Sequence, residues 1–447
     1  MFSVSVWWTV LKVFTDILSI PSLTIAIIAA IGLIALKKSW SDVFSGFMRV
    51  FIALLIVVAG ALTVVNALTP LNDLFVTTFG FRGVYTLEEV TTASAIAKGL
   101  GMEIGAIYGL GFILHVIIVR LIPGKRPGIR QLYLTGHVMW TMAGAIALVL
   151  QIWGIRGWGA VAIGTVMLAF YLTVAPLMVW PFVKPITKGQ WSIGHTQSFG
   201  LFLFAGIVAK GIDLITGGRA RKWRAEELSI PQQIAFIKQP GIISALIMIV
   251  VFLVPVIVLG PGVVEAKFSG GKNYIVWAIQ QGAMFAAGVE VILFGVRTFL
   301  GEIIPAFQGI SERVIPGAVP ALDVPTIYPF RPTAMMLGVV MHVIVTIFAT
   351  MLQAMTGSPM VILPNAIYMF FVGATTGIIA DEWGGIPGVI VASILSGFWY
   401  MYLPIWAYPF LGLEKLGLTG LSMSADCGIW AIFYGSLLRL ILGPPPS

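Results

Sequence analysis

Residues 19–36 read SIPSLTIAIIAAIGLIAL and are followed at once by Lys37 and Lys38. The run carries no charge and has nearly the length that a helix needs to cross a hydrocarbon core about 30 Å thick. Only Lys12 and Asp16 lie shortly before it. It therefore reads as a first membrane span with its N-terminus outside, not as an export signal. The remaining sequence extends this reading. Of 447 residues, 59% are hydrophobic and only 10% are charged, and the mean hydropathy is +1.00. A soluble domain is usually about 45–50% apolar and about 25% charged. The solvent of this chain is lipid. That excludes a cytosolic enzyme, a secreted disulfide scaffold, a DNA-binding domain and a disordered chain. A single Cys excludes an internal disulfide and a Cys-based metal site.

The apolar pattern predicts an all-α polytopic membrane protein with eleven transmembrane helices, near 19–36, 46–67, 99–120, 131–153, 158–180, 240–262, 274–296, 332–355, 359–380, 386–406 and 427–443. Residues 1–17, rich in tryptophan, read as an interfacial amphipathic helix. With the N-terminus outside, 19 of the 26 Lys and Arg residues fall on the inner side and 7 on the outer side. The net charge of +8 is then a cytoplasmic-face bias rather than a sign of nucleic-acid binding. This places the N-terminus outside and the C-terminus inside.

Two stretches break the pattern. Residues 181–210 are apolar but interrupted by Pro, Gly, His and Gln. Residues 297–331 contain GEIIPAFQGISERVIPGAVPALDVPTIYPFR. Both are too polar to face lipid and too apolar for an exposed loop. They read as two re-entrant hairpins, because irregular backbone at membrane depth survives only where protein or a water-filled cavity satisfies it. Paired broken segments point to a substrate site in an inverted-repeat-like transporter architecture. The longest polar stretch, about 210–238 with GGRARKWRAEE at its centre, is far too short for a soluble domain. It reads as a leaflet-binding loop or a docking surface for a cytosolic partner.

Intramembrane polar groups are costly, so each calls for a reason. His115 and His342 read as histidines hydrogen-bonded between helices. His137 in LTGH and His195 in SIGH are open to the same reading or to a ligand, since neutral imidazole offers one donor and one acceptor to a hydroxyl-rich molecule. Asp323, in a wholly apolar neighbourhood, must be paired, solvated or protonated. Glu302, Gln308, Glu312 and Arg313 share its segment. Glu290 reads as a proton-relay carboxylate or as a group bonded to a neighbouring helix. Glu88 and Glu89 read as outer loop charges. Gly101, Gly105 and Gly109 form a GxxxGxxxG close-packing stripe. Cys427 reads as a small apolar residue. GKRPG at 124–128 lacks the phosphate-loop spacing, and there is no HExxH, no G-x-S-x-G and no Cys/His cluster. No catalytic site, metal or cofactor is expected.

LTGHVMW (134–140), SIGHTQSF (192–199) and above all QGISERVIPGAVPALDVPTIY (308–328) resemble the L-ascorbate-specific IIC permease family of the bacterial phosphotransferase system. The similarity extends to KKSWSDVFSGFMRV (37–50) and DEWGG (381–385). The resemblance implies eleven helices with two hairpins in one permease domain over 1–447, without a fused IIA or IIB. It implies a homodimer in the cell membrane that moves its substrate in an elevator-like fashion. A separate IIB, charged by IIA, would phosphorylate the sugar on the inner side. It implies substrate contacts at His137, His195 and Asp323. Thr141 and Thr196 stand where the family has glutamines, with Gln197 next to the second. Met139 and Trp140 flank the first motif. A Thr-Tyr contact pair falls loosely on Glu88 and Glu89. Carboxylates there would repel an anion such as ascorbate, which points to a different polyol or sugar. Two other readings compete. One is a proton-driven sugar transporter using Glu290, Asp323 or the histidines. The other is a membrane-embedded enzyme using His137, His195 and Asp323.

Overall fold

The computed structural model describes residues 20–80, 83–86, 88–123, 128–228 and 239–446. The interfacial helix expected over 1–17, Lys125 and Arg126 of GKRPG, and Lys238 lie outside the described residues.

Helix α1 (Pro21–Ala35) leads into the 40-residue α2 (Trp40–Phe79). Ser39 starts α2 by accepting the Asp42 N–H at 3.2 Å, and Gly80 ends it in the left-handed conformation (φ 67°). A short strand β1 (Tyr85–Thr86) and helix α3 (Glu88–Ala95) run through one π-helical turn, Ile96–Leu100, into α4 (Gly101–Leu121). Then come β2 (Arg130–Tyr133), α5 (Gly136–Ile152), α6 (Gly157–Thr187), β3 (Ser192–Ile193), a second π turn (Ser198–Phe202) and α7 (Leu203–Ile215). The second half holds α8 (Pro240–Leu259), α9 (Pro261–Lys267) and α10 (Tyr274–Gly309). A third π turn (Ile310–Val314) leads to β4 (Ala318–Leu322), a 3-10 segment (Val324–Phe330), α11 (Pro332–Met355) and α12 (Ala366–Leu411). Strand β5 (Leu421–Ser422) and α13 (Ala425–Leu442) close the chain.

The protein is an all-α polytopic membrane protein, and 80% of its described residues are helical. Among the described residues, eight helices are long and apolar enough to cross a membrane, or nine if α8 and α9, bent by 112°, form one span. Eleven runs were expected, and the difference has local causes. Helices α1 and α5, with 15 and 17 residues, are short of a full span. The runs at 359–380 and 386–406 are one 46-residue helix broken at Gly385. Ser198–Ile215 is long and apolar enough to cross, although its sequence looked irregular. The two irregular stretches take a common form: a long helix enters, a short extended strand interrupts it, and a helical segment leaves.

Close helix contact follows the glycines. A Cβ on Gly288 of α10 would lie 2.8 Å from Val64 N and 2.9 Å from Gly60 O of α2. A Cβ on Gly373 of α12 would lie 2.8 Å from Val339 Cα of α11. The GxxxGxxxG stripe behaves otherwise. Gly105 and Gly109 meet nothing within 4 Å, and α4 packs on α6 through Gly111 against Leu168 instead. The stripe lies on a face turned away from α6, so spacing alone misassigned it.

Segments expected on one side of the membrane meet each other. Val84 bridges Ile362, and β1 pairs in parallel with β5. At the other end, Arg331 pairs with Asp381 at 2.7 Å and with Glu382, and Arg224 pairs with Glu382 at 2.8 Å. Glu226 accepts the N–H groups of Thr333 and Ala334, capping α11. Part of GGRARKWRAEE is thus spent on the chain's own helices. Gly385 sits beneath this loop at φ 57°, ψ −161°, where a Cβ would lie 2.7 Å from Trp223 O.

Candidate functional site

Three parallel strands place the site. Strand β4 is central, with β2 on one side and β3 on the other. Tyr133 and Ser192 both pair with Ala321, and Ile193 pairs with Leu322. The ladder runs one residue further on each side: Leu134 N–H donates to Ala321 O at 3.0 Å and Gly194 N–H to Leu322 O at 2.9 Å. Parallel strands in this register end at one level and in one direction. The residues that follow are His137, His195 and Asp323. Gly194 permits the approach, because a Cβ there would meet the Tyr133 ring and Ala321 O at 3.1 Å.

Asp323 stands between the two imidazoles. Its Oδ2 is 3.8 Å from His137 Nε2 and its Oδ1 is 3.8 Å from His195 Nε2. Both separations exceed a hydrogen bond, so neither imidazole uses up the carboxylate. Oδ1 accepts the Val324 N–H at 2.7 Å, which fixes the side chain as the cap of the 3-10 segment. The side chains of His137 and Asp323 are 45% and 34% exposed, whereas that of His195 is 9% exposed. His195 is held through its backbone: its N–H donates to Ser198 Oγ, and its carbonyl accepts from Tyr171 OH.

The trio lines a cavity of about 450 Å³, walled mainly by apolar side chains such as Val57, Ala61, Ile292 and Phe371. That size and lining suit a small-molecule site. Glu88 and Glu89 line the same cavity, so the two are not loop charges. Glu88 is 2% exposed; it accepts from Thr196 Oγ1 at 2.5 Å and from Ser424 Oγ. Glu89 accepts from Tyr368 OH at 3.1 Å.

Five other candidates do not line the cavity. The Thr141 hydroxyl donates to Val138 O of its own helix, and Met139 is buried in the core with Trp140 packed on it. Thr196 and Gln197 form a layer behind the wall, where Gln197 Nε2 donates to Ser424 Oγ at 2.6 Å. Asp426, which the sequence reading passed over, anchors that layer. It accepts the N–H groups of Gly200 (2.6 Å) and Phe199 (3.1 Å) and the Tyr171 hydroxyl (2.9 Å). Thr135, Thr326 and Tyr368 also line the cavity unforeseen. Thr135 lies inside LTGH and could have been read from it, while nothing local marks Tyr368.

Most of the other polar candidates have structural partners. His115 Nε2 accepts the Tyr133 N–H at 3.0 Å, while Nδ1 lies 2.9 Å from Thr173 Oγ1. His342 lies between Gly338 O and Ser396 Oγ. Glu302 pairs with Arg49, and Glu312 accepts from Gln308. Glu290 packs against Gly241 at the start of α8, away from the cavity.

The chain is similar to known proteins. A family model described as "PTS system sugar-specific permease component" (EIIC-GAT) matches residues 16–426. The chain is 25% identical over 430 residues to the "Ascorbate-specific PTS system EIIC component" of Mycoplasma pneumoniae (strain ATCC 29342 / M129 / Subtype 1). That similarity covers 85% of this chain and 63% of the relative, so the chain spans less than two thirds of that protein's length. With the family match running through both halves of the fold and every strand end that builds the cavity, the chain belongs to the EIIC-GAT family of phosphotransferase-system sugar-specific permease components.

Proposed function

We propose that this chain is the IIC permease of a phosphotransferase system and that the 450 Å³ cavity holds L-ascorbate or a related small sugar or sugar acid during translocation. The observation that carries the reading is the convergence of His137, His195 and Asp323 from three parallel strand ends. Each neutral imidazole gives one donor and one acceptor, and the carboxylate accepts from hydroxyl groups. Apolar walls exclude competing water, and a few placed polar groups orient the ligand. The relative's ascorbate specificity and the family's sugar-permease description support the substrate class.

In this reading a separate IIB, charged by IIA, phosphorylates the sugar at the inner face, and the permease works as a homodimer in the cell membrane. The bias of basic residues, 19 against 7, supports an outer N-terminus and an inner C-terminus. A second reading has one observation in its favour. Five carboxyl or imidazole side chains (Glu88, Glu89, His137, His195 and Asp323) line one cavity, as a proton-coupled transporter on the same scaffold requires.

Uptake into proteoliposomes separates the two. Labelled ascorbate and a panel of small sugars are offered with and without phosphorylated IIB, and with and without a pH gradient. Sugar phosphate formed only with IIB supports the permease reading. Unmodified sugar accumulating with the proton gradient supports the second.

A further inference from the structure

The two adjacent carboxylates on α3 have different partners. Both oxygens of Glu88 are engaged, one by Thr196 and one by Ser424, and the residue is 2% exposed. Glu89 is exposed and engages only Oε2, with Tyr368; its Oε1 has no protein partner among the described residues. Glu88 is a positioning residue that ties the segment after His195 to α3. Glu89 presents an unused acceptor to the cavity.

No lysine or arginine is among the described residues that line this cavity. A bound anion would face Glu89 and Asp323 with no permanent cation to balance them, and like charges brought together inside a site discriminate strongly. Hydroxyl groups fit the same wall, since each can donate to a carboxylate oxygen.

We propose that Glu89 is the specificity-determining residue of the cavity and that, together with Asp323, it selects an uncharged, hydroxyl-rich sugar or polyol against a sugar-acid anion. This narrows the substrate class proposed above, L-ascorbate or a related small sugar or sugar acid, to its uncharged members; it rests on the cavity being the sugar site, and the test separates the two claims. Binding to the full-length protein in nanodiscs is measured by calorimetry. Sorbitol, mannitol, galactitol and xylitol serve as neutral probes, and ascorbate and gluconate as anions. The wild type is expected to bind at least one neutral probe ten or more times more tightly than either anion. Glu89→Gln is expected to narrow that gap about tenfold, and Glu89→Asp, which keeps the charge, to preserve it. Glu89→Ala serves as a second neutral variant should Glu89→Gln not fold.

Ascorbate binding as tightly as every neutral probe overturns the proposal, as does a gap that Glu89→Gln and Glu89→Ala leave unchanged, or no binding of any neutral probe. His195→Ala decides the underlying reading. If that variant loses binding while the wild type prefers an anion, the cavity is the site and only the role of Glu89 fails. If every probe binds His195→Ala as it binds wild type, the cavity itself is misassigned.

Discussion

Thr196 and Glu88 are 108 residues apart in sequence, yet the threonine hydroxyl donates to Glu88 Oε1 at 2.5 Å. Through the second oxygen, Ser424 joins the same carboxylate. One side chain thus binds three interruptions of regular structure: the start of α3, the break after β3 and the break before α13.

Removing that carboxylate leaves two buried hydroxyls without an acceptor. A buried hydroxyl left without its partner costs about 1–3 kcal/mol. Glu88→Ala is therefore expected to cost about 2–4 kcal/mol and to lower the unfolding midpoint of the detergent-purified protein by several degrees. Glu88→Gln keeps one acceptor and should lie between. A midpoint unchanged in both variants would show that the two hydroxyls find other partners.

The imidazole–carboxylate trio makes a different prediction. His137→Ala, His195→Ala and Asp323→Ala should each reduce sugar uptake at least tenfold with membrane insertion intact, because each removes a group that converges on the cavity. Asp323→Asn should retain more folding stability than Asp323→Ala, since the amide oxygen can still accept the Val324 N–H. Wild-type uptake by any of the three alanine variants removes that residue from the site.

Asp426 tests the layer behind the wall. It satisfies two backbone N–H groups at the π turn after His195. Leaving them bare costs about 1–3 kcal/mol apiece. Asp426→Ala should lower both the unfolding midpoint and sugar affinity, whereas Cys427→Ala next to it should change affinity little. Equal behaviour of the two variants would deny Asp426 its anchoring role.

At the opposite end, Arg331→Ala would strip Asp381, whose side chain is fully buried, of its ion-pair partner. An uncompensated buried charge costs about 3–5 kcal/mol. The variant should express poorly or unfold early. Arg331→Ala with Asp381→Asn should recover part of the loss, and a double variant no better than the single one counts against the pairing.

Much of this was legible from residue type and spacing. Long charge-free runs can only be membrane helices, so the class followed from composition. The Gly-His pairs and Asp323 stood out because polar groups among apolar ones demand a reason, and the structure brings all three together. Thr141 was misleading because its place in the motif says nothing about its χ1; the hydroxyl satisfies Val138 O instead. Glu88 and Glu89 looked like loop charges because the turn that folds them inward is set by β1 pairing with β5, more than 330 residues away. Asp426 had no local signature either, since its partners lie at 171 and 199–200. The GxxxGxxxG stripe shows the limit of spacing arguments, which identify a smooth face but not what covers it.

The central position of β4 has a consequence for biosynthesis. Its neighbours β2 and β3 leave the ribosome well before it and do not pair with each other. For well over a hundred residues of translation, two unmatched strand edges must wait inside the nascent bundle for the segment that joins them. Loop closure over such distances is slow, and open edges are prone to wrong partners. The step that completes the cavity is therefore also the point at which assembly is most vulnerable. Substitutions in 318–322 should show up first as loss of mature protein, ahead of any loss of transport by the molecules that succeed.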